Sequence, residues 1–481
     1  MKTKNLLLVC CLSTALFSAS DAPGQTFTNL YSFTALQMTT PITFTNADGA
    51  NPYAGLVISS NRLYGTAYGG GSVNTGTAFA IDTDGSDFSN LHNFSGGGGS
   101  RPYGRLVFSG NSLYGVTSQN SSSSGPGKIF RMNTDGSSYT VLRTFLPLVN
   151  STNSDGATPY AGLVLAGERL YGTTLGGGSV GWGTIFSINT NGSTFTNLHN
   201  FPALLNSTNS DGVLPYGGLV VSGNRLYGTA AEGGNSGSGT IFAMQTNGSN
   251  FTVLHHFAPS IDFTNSDGAR PRGALIESAG VLYGTTYYGG SSAAGTLFAM
   301  KIDGTGFTNL HHFSGLSGNT NSDGVHPSAG LLLSGSTLYG TTSAGGSIGA
   351  GTVFSLKNDG SGFTTLYGFT GVGDGVSPSS DLALSANVLY GTTVYGGGAN
   401  NGTVFSLTLP ASSAPQLTIA FSGLDVVLTW ATNVPGFTLE ANTNLNTNVW
   451  SVVSPAPAVS GTNNVVTNAI GGSARFYRLR Q

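Results

Sequence analysis

Residues 27–33 read FTNLYSF, and residues 402–410 read GTVFSLTLP. The first is a short run rich in aromatic and β-favouring side chains. It returns as FSNLHNF from Phe88, YTVLRTF from Tyr139, FTNLHNF from Phe195, FTVLHHF from Phe251, FTNLHHF from Phe307 and FTTLYGF from Phe363. Each of these six copies follows a run like GTVF. After the last such run, GTVFSLTLP, no copy follows. The copy missing there stands at the other end of the chain, at Phe27 to Phe33. An N-terminal strand able to pair with the last unit completes a ring, whereas an open solenoid needs polar caps and has no use for the offset.

Between these ends the tripeptide Leu-Tyr-Gly occurs seven times, with tyrosines at 64, 114, 171, 227, 283, 339 and 390, spaced 50 to 57 residues apart. That period belongs to propellers, solenoids or arrays. The fourth unit holds four strand-like runs: Gly218 to Ser222, Arg225 to Ala230, Thr240 to Met244 and Phe251 to Phe257. Ser-Gly-Asn after the first run and Asn-Gly-Ser after the third supply hairpin turns, since Gly and Asn tolerate positive φ. No stretch has helical periodicity. The fold expected is all-β, a seven-bladed β-propeller over residues 26–410, each blade four-stranded and the last closed by the N-terminal strand.

Only 8% of the 481 residues are charged and the net charge is −3, which offers no basic surface to nucleic acid. Lys2 and Lys4, the apolar run Leu6 to Phe17 and the small residues Ser18-Ala19-Ser20 have the layout of a secretory signal peptide over 1–20. Both cysteines, Cys10 and Cys11, lie inside it, so the exported chain would contain none. No later segment is long and apolar enough to span a membrane as a helix. The expectation is a secreted or cell-surface monomer stabilised by packing between repeats.

The unit LYGTTxxGG, GTxF, DGxxFTxLHxF, DGxxPxAGL resembles the GloVer tandem repeat of secreted bacterial "choice-of-anchor" proteins across roughly residues 26 to 410. The resemblance implies an exported repeat protein joined to a C-terminal module, and no particular activity. The glycine pairs at Gly233-Gly234 and Gly289-Gly290 are also kelch-like. Past Pro410, residues 411–415 read as a linker. Residues 416–481 resemble a fibronectin type III domain, a β-sandwich whose second-strand Trp and late Tyr fall here on Trp430 and Tyr477.

Alternation along each blade sends the short turns to one face and the long loops to the other, and function most often resides in such loops. Six of the seven crossovers between units carry Asp-Gly, at Asp48, Asp155, Asp211, Asp267, Asp323 and Asp374; the crossover into the second unit has Arg101 instead. Two readings stand. Each aspartate caps its own turn, or the set forms a carboxylate rim for Ca²⁺ or sugar hydroxyls, any ion lying within one loop because Ca²⁺ needs ~6–8 oxygens. No other cofactor is called for. Trp182 in Gly181-Trp182-Gly183, with Tyr68, Tyr288 and Tyr395 beside glycine pairs, either packs between blades or offers platforms to sugar rings.

His92, His199, His255 and His311 share one position of the outer strand, so symmetry spreads them around the circumference as packing residues. No HExxH, P-loop or Ser-His-Asp order is present, and Glu168, Glu232 and Glu277 have no evident partner. The expected function is non-catalytic binding of an extracellular glycan or protein through the long-loop face. A polysaccharide-processing enzyme and a structural surface component are the alternatives.

Overall fold

The computed structural model describes residues 25–481 apart from 41–42, 120–124, 372, 411–416, 423–424, 432–436, 443–449, 455, 461–462, 470–475 and 481. The signal peptide expected over 1–20 and the linker over 411–415 lie outside the described residues. The described chain is all strand and loop, and among these residues no helix is long and apolar enough to cross a membrane. The repeat region ends at Leu409 and a separate compact unit begins at Pro410.

The sequence units fold as propeller-like, antiparallel four-stranded sheets. In the fourth, Val220–Ser222, Arg225–Ala230, Thr240–Gln245 and Thr252–His256 pair in chain order, within two residues of the runs read from sequence. The second unit adds Ser100–Pro102 to its sheet, and the first crossover carries a hairpin of Gln37–Thr40 with Thr43–Thr45.

The Leu-Tyr-Gly motif has a packing cause. Alternation sends Leu226 into a core with Tyr171 of the preceding unit, and Tyr227 into a core with Leu275, Leu282 and Phe298 of the following one. Fully burying such a side chain contributes roughly 1.5–3 kcal/mol. Gly228 is required because the Phe242 ring lies over it: a Cβ there would sit 2.6 Å from the ring. GTxF and Leu-Tyr-Gly are thus two halves of one contact, repeated as Gly65 with Phe79 and Gly391 with Phe405.

Thr26–Ser32 pairs antiparallel with Thr403–Thr408, the third strand of the last unit. The first and last units share a core in which Leu56, Leu63 and Phe79 meet Ala383, Tyr390 and Val404, with Phe33 between them. Thr392 donates to the Pro52 carbonyl (2.9 Å), as Thr173 does to that of Pro215 (3.1 Å) and Thr285 to that of Ala329 (3.1 Å). Outer strands repeat one stacking contact between successive units. Tyr31 lies 3.9 Å from Phe88, His92 3.8 Å from Tyr139, His199 3.8 Å from Phe251, His255 and His311 3.9 Å from Phe307 and Phe363, and Tyr367 4.1 Å from Phe27. Arg143, 4.3 Å over the Phe195 ring, takes the same place in its unit.

The C-terminal unit has two antiparallel sheets. One orders Thr418–Ser422, Asp425–Ala431, Asn463–Ala469 and Ala458–Ser460; the other orders Ser451–Val452, Thr438–Asn442 and Phe476–Arg480. Leu428, Trp430, Leu439 and Val466 form its core, with Tyr477 packed against it. Glu440 accepts from Arg478 (2.8 Å) and Arg480 (3.4 Å).

Candidate functional site

Each crossover ends in a proline directly before a cavity-lining segment: Pro52, Pro102, Pro159, Pro215, Pro271, Pro327 and Pro378. The residue before each proline is non-glycine with positive φ, at Asn51 (57°), Arg101 (60°), Thr158 (57°), Leu214 (57°), Arg270 (54°), His326 (59°) and Ser377 (60°). A left-handed residue before proline is costly and persists only where its surroundings hold it. Here they do: Asn51 donates to the Asn401 carbonyl (2.7 Å) and accepts from Tyr68 (3.1 Å), and Arg270 donates to the Ser238 carbonyl (2.9 Å) and accepts from Tyr287 (3.1 Å).

This backbone turn aims the residue after each proline at a cavity of about 610 Å³ lined by segments from all seven units. Those residues are Tyr53, Tyr103, Tyr160, Tyr216, Arg272, Ser328 and Ser379. Four tyrosines therefore stand side by side. Tyr53 and Tyr103 stack at 4.6 Å, Tyr103 and Tyr160 at 3.5 Å, and Tyr216 meets Tyr160 edge-on at 5.5 Å. All four are half-buried. Burial pushes the phenols of Tyr53, Tyr103 and Tyr160 well above the usual tyrosine range, so they remain neutral hydrogen-bonding groups.

Of the aromatics singled out in the sequence, two reach this cluster. Tyr68 stands edge-on to Tyr53 (5.6 Å) and Tyr103 (6.0 Å), with Arg101 4.7 Å over its ring. Tyr395, 43% exposed, brings its hydroxyl within 3.3 Å of that of Tyr53. Tyr288 lies elsewhere, against Phe263 (5.5 Å) and His326 (5.1 Å) in a second, largely apolar hollow. Glycine pairs align Tyr68 with Tyr288 by eye, but strand pairing aligns it with Tyr287, since Tyr68 and Tyr287 donate to Asn51 and Arg270 at equivalent places. Trp182 packs against the core between the third and fourth units.

The crossover aspartates do not converge; each ties its crossover to the end of an outer strand. Asp48 accepts from Tyr31 (2.9 Å) and the Thr34 amide (2.8 Å), Asp155 from Arg143 (2.6 Å) and the Leu146 amide (3.1 Å), and Asp374 from Tyr367 (2.8 Å) and the Thr370 amide (2.8 Å). Asp211, Asp267 and Asp323 pair with His199 (3.0 Å), His255 (2.9 Å) and His311 (3.0 Å). The reading in which each aspartate caps its own turn is corrected in five of the six crossovers; Asp374 accepts from the Gly371 amide (3.0 Å) inside its own. Asn46, Asn153, Asn209, Asn265 and Asn321 cap those turns by accepting from the glycine three residues on. The one outer strand facing a crossover without aspartate carries His92, whose pKa burial pulls down. Among the described residues no cluster of three His, Cys, Asp or Glu side chains is placed to hold a metal ion.

Sequence analysis alone does not single out these tyrosines, because they lie in the long crossovers between units, outside the motifs that set the strands. The signal was there: one position of a strict repeat changes from Tyr in four units to Arg and then Ser.

A family model for the Gloeobacter/Verrucomicrobia repeat matches residues 18–203, 143–322 and 260–448. The chain belongs to this repeat family. Among solved structures, this Gloeobacter/Verrucomicrobia repeat protein is similar to a GH74 enzyme of Niastella koreensis (15% identity, 88% of this chain and 62% of that one, TM-score 0.49). It is also similar to a putative 6-phosphogluconolactonase from Bacteroides uniformis (13% identity, 87% of this chain and 100% of that one, TM-score 0.44). A third similar chain comes from a nidogen/laminin complex (15% identity, 60% of this chain and 89% of that one, TM-score 0.38). No curated protein matches the chain.

Proposed function

We propose that this repeat protein is an exported, non-catalytic glycan-binding protein: a closed, seven-bladed β-propeller followed in the chain by a fibronectin type III-like β-sandwich, with its ligand held in the axial cavity. The observation that carries the reading is the row of Tyr53, Tyr103, Tyr160 and Tyr216 along that cavity. Neutral phenols beside flat ring faces suit a sugar, whose apolar face stacks while its hydroxyls exchange hydrogen bonds. The cavity's size falls within the usual range for small-ligand sites. Closure is supported by pairing of the first strand with the last unit and by the core those ends share.

Binding is favoured over cleavage because, among the described residues, the cavity lining carries one carboxylate, Asp381, where most glycoside hydrolysis uses two. The crossover aspartates are already engaged by internal donors, which favours the tyrosines over an aspartate rim as the ligand site. Exposed Leu205 (76%), Ile261 (76%) and Phe263 (61%) at crossover tips favour a second reading, a protein partner at the periphery.

The test is a polysaccharide array probed with protein lacking residues 1–20, with released sugars assayed in the same wells. Retention without release is expected, weakened roughly tenfold or more by Tyr160→Ala. Release of sugar would make the protein an enzyme. Retention unaffected by Tyr160→Ala would move the site away from the axis.

A further inference from the structure

We infer that the axial cavity selects saccharides bearing a carboxylate, an inference that rests on the glycan-binding reading above. The residue that sets this selectivity is Arg272. It takes the place that tyrosine holds in the first four units, and its guanidinium lies 4.1 Å over the Tyr287 ring and 5.4 Å over that of Tyr216. Its Nε is buried without a hydrogen-bond partner, and so is the Oγ of Ser328, the equivalent residue of the next unit. The two segments adjoin: a Cβ at Gly273 would sit 2.3 Å from the Ala329 carbonyl.

Charge in the lining is unbalanced. Arg272 and Arg105 are its cations, and neither forms an ion pair among the described residues. Arg105 donates from Nε to the Leu56 carbonyl (3.2 Å), and the one carboxylate, Asp381, accepts from the Gly330 amide (2.7 Å). Next to the site, burial and then the Arg272 charge pull the pKa of His326 down, leaving Arg272 as the local cation. A net positive lining in a chain of net charge −3 is a local arrangement that overall composition does not produce.

The geometry chooses the anion. Arg272 lies over two rings, and the N–H donors of a planar guanidinium lie in its own plane, the arrangement that meets a planar carboxylate through two parallel hydrogen bonds. The tyrosines along the same wall supply ring platforms. A uronic acid residue offers both features at once: a pyranose face and a carboxylate at its edge.

The test compares hexasaccharides of galacturonate, mannuronate and glucuronate, each as free acid and as methyl ester, by calorimetric titration of the mature chain. The ester keeps the ring and removes the charge. At least one free acid is expected to bind about tenfold or more tightly than its ester. Arg272→Gln should lower acid affinity to that of the ester, Arg272→Lys should restore part of the difference, and melting curves report whether each variant is folded. The acid-to-ester ratio of the unaltered protein is decisive even if a variant does not fold. Equal affinity for acid and ester overturns the carboxylate inference and leaves glycan binding standing. No binding to either form, with no retention of neutral polysaccharides on the array, overturns both.

Discussion

A chain lacking residues 25–33 melts far below the full chain and self-associates. The deleted strand supplies Phe27, stacked on Tyr367 at 4.1 Å and close to Phe405 at 5.6 Å, and Phe33, 1% exposed in the core shared by the first and last units. Truncating one buried phenylalanine costs about 3–5 kcal/mol, so removal of both is worth roughly 6–10 kcal/mol before lost backbone pairing is counted. The strand Thr403–Thr408 is then left with a bare edge, a template for pairing with another chain. Phe33→Ala alone should lower stability by about 3–5 kcal/mol. Scanning calorimetry with light scattering checks both, and an unchanged melting curve for the deletion would mean that the first strand does not hold the last sheet.

The second large effect lies in the crossovers. Asp155 is 2% exposed, and Asp155→Ala strands the guanidinium of Arg143 between a vacated crossover and the Phe195 ring. Because about a third of the Arg143 side chain stays in solvent, the loss is roughly 1–3 kcal/mol, measurable by urea denaturation, while glycan affinity should be unchanged. The same architecture makes the protein acid-sensitive. Pairing with His199 lowers the pKa of Asp211; for Asp323, burial pushes upward but the bonds from His311 and Ser314 prevail and the pKa falls. A carboxylate whose pKa is depressed on folding contributes stability above the ordinary carboxylate range and loses it as pH falls through its folded value. Stability should therefore hold at neutral pH and drain away below about pH 4. The double variant Asp211→Asn, Asp323→Asn should flatten that acid limb; an unaltered limb would contradict these roles.

Much of the fold was legible because the repeat constrains it. The outer-strand motif could be counted, and its misplaced copy at Phe27–Phe33 gave the register in which Thr26–Ser32 meets Thr403–Thr408. Strand positions followed from Leu-Tyr-Gly and GTxF, although the reason for that glycine, a phenylalanine ring laid across it, is a three-dimensional contact. The site was less legible. Conspicuous residues, the crossover aspartates and Trp182, proved to be engaged inside the scaffold. The pairing of His199 with Asp211 could have been suspected from the 12-residue spacing repeated in His255 with Asp267 and His311 with Asp323. The cavity tyrosines follow strained pre-proline residues whose direction only the backbone reveals. Their signature was variation: where a repeat is otherwise strict, the position that changes from unit to unit is the one free to be shaped by a ligand.

Hydrogen exchange of the mature protein, with and without an oligosaccharide retained on the array, tests the axial site most directly. The account predicts slowed exchange in the segments that follow the prolines, residues 53–56, 103–106, 160–163, 216–219 and 272–275, with the crossover tips unchanged. Protection confined to the tips around Leu205, Ile261 and Phe263 would contradict it and place binding at the periphery.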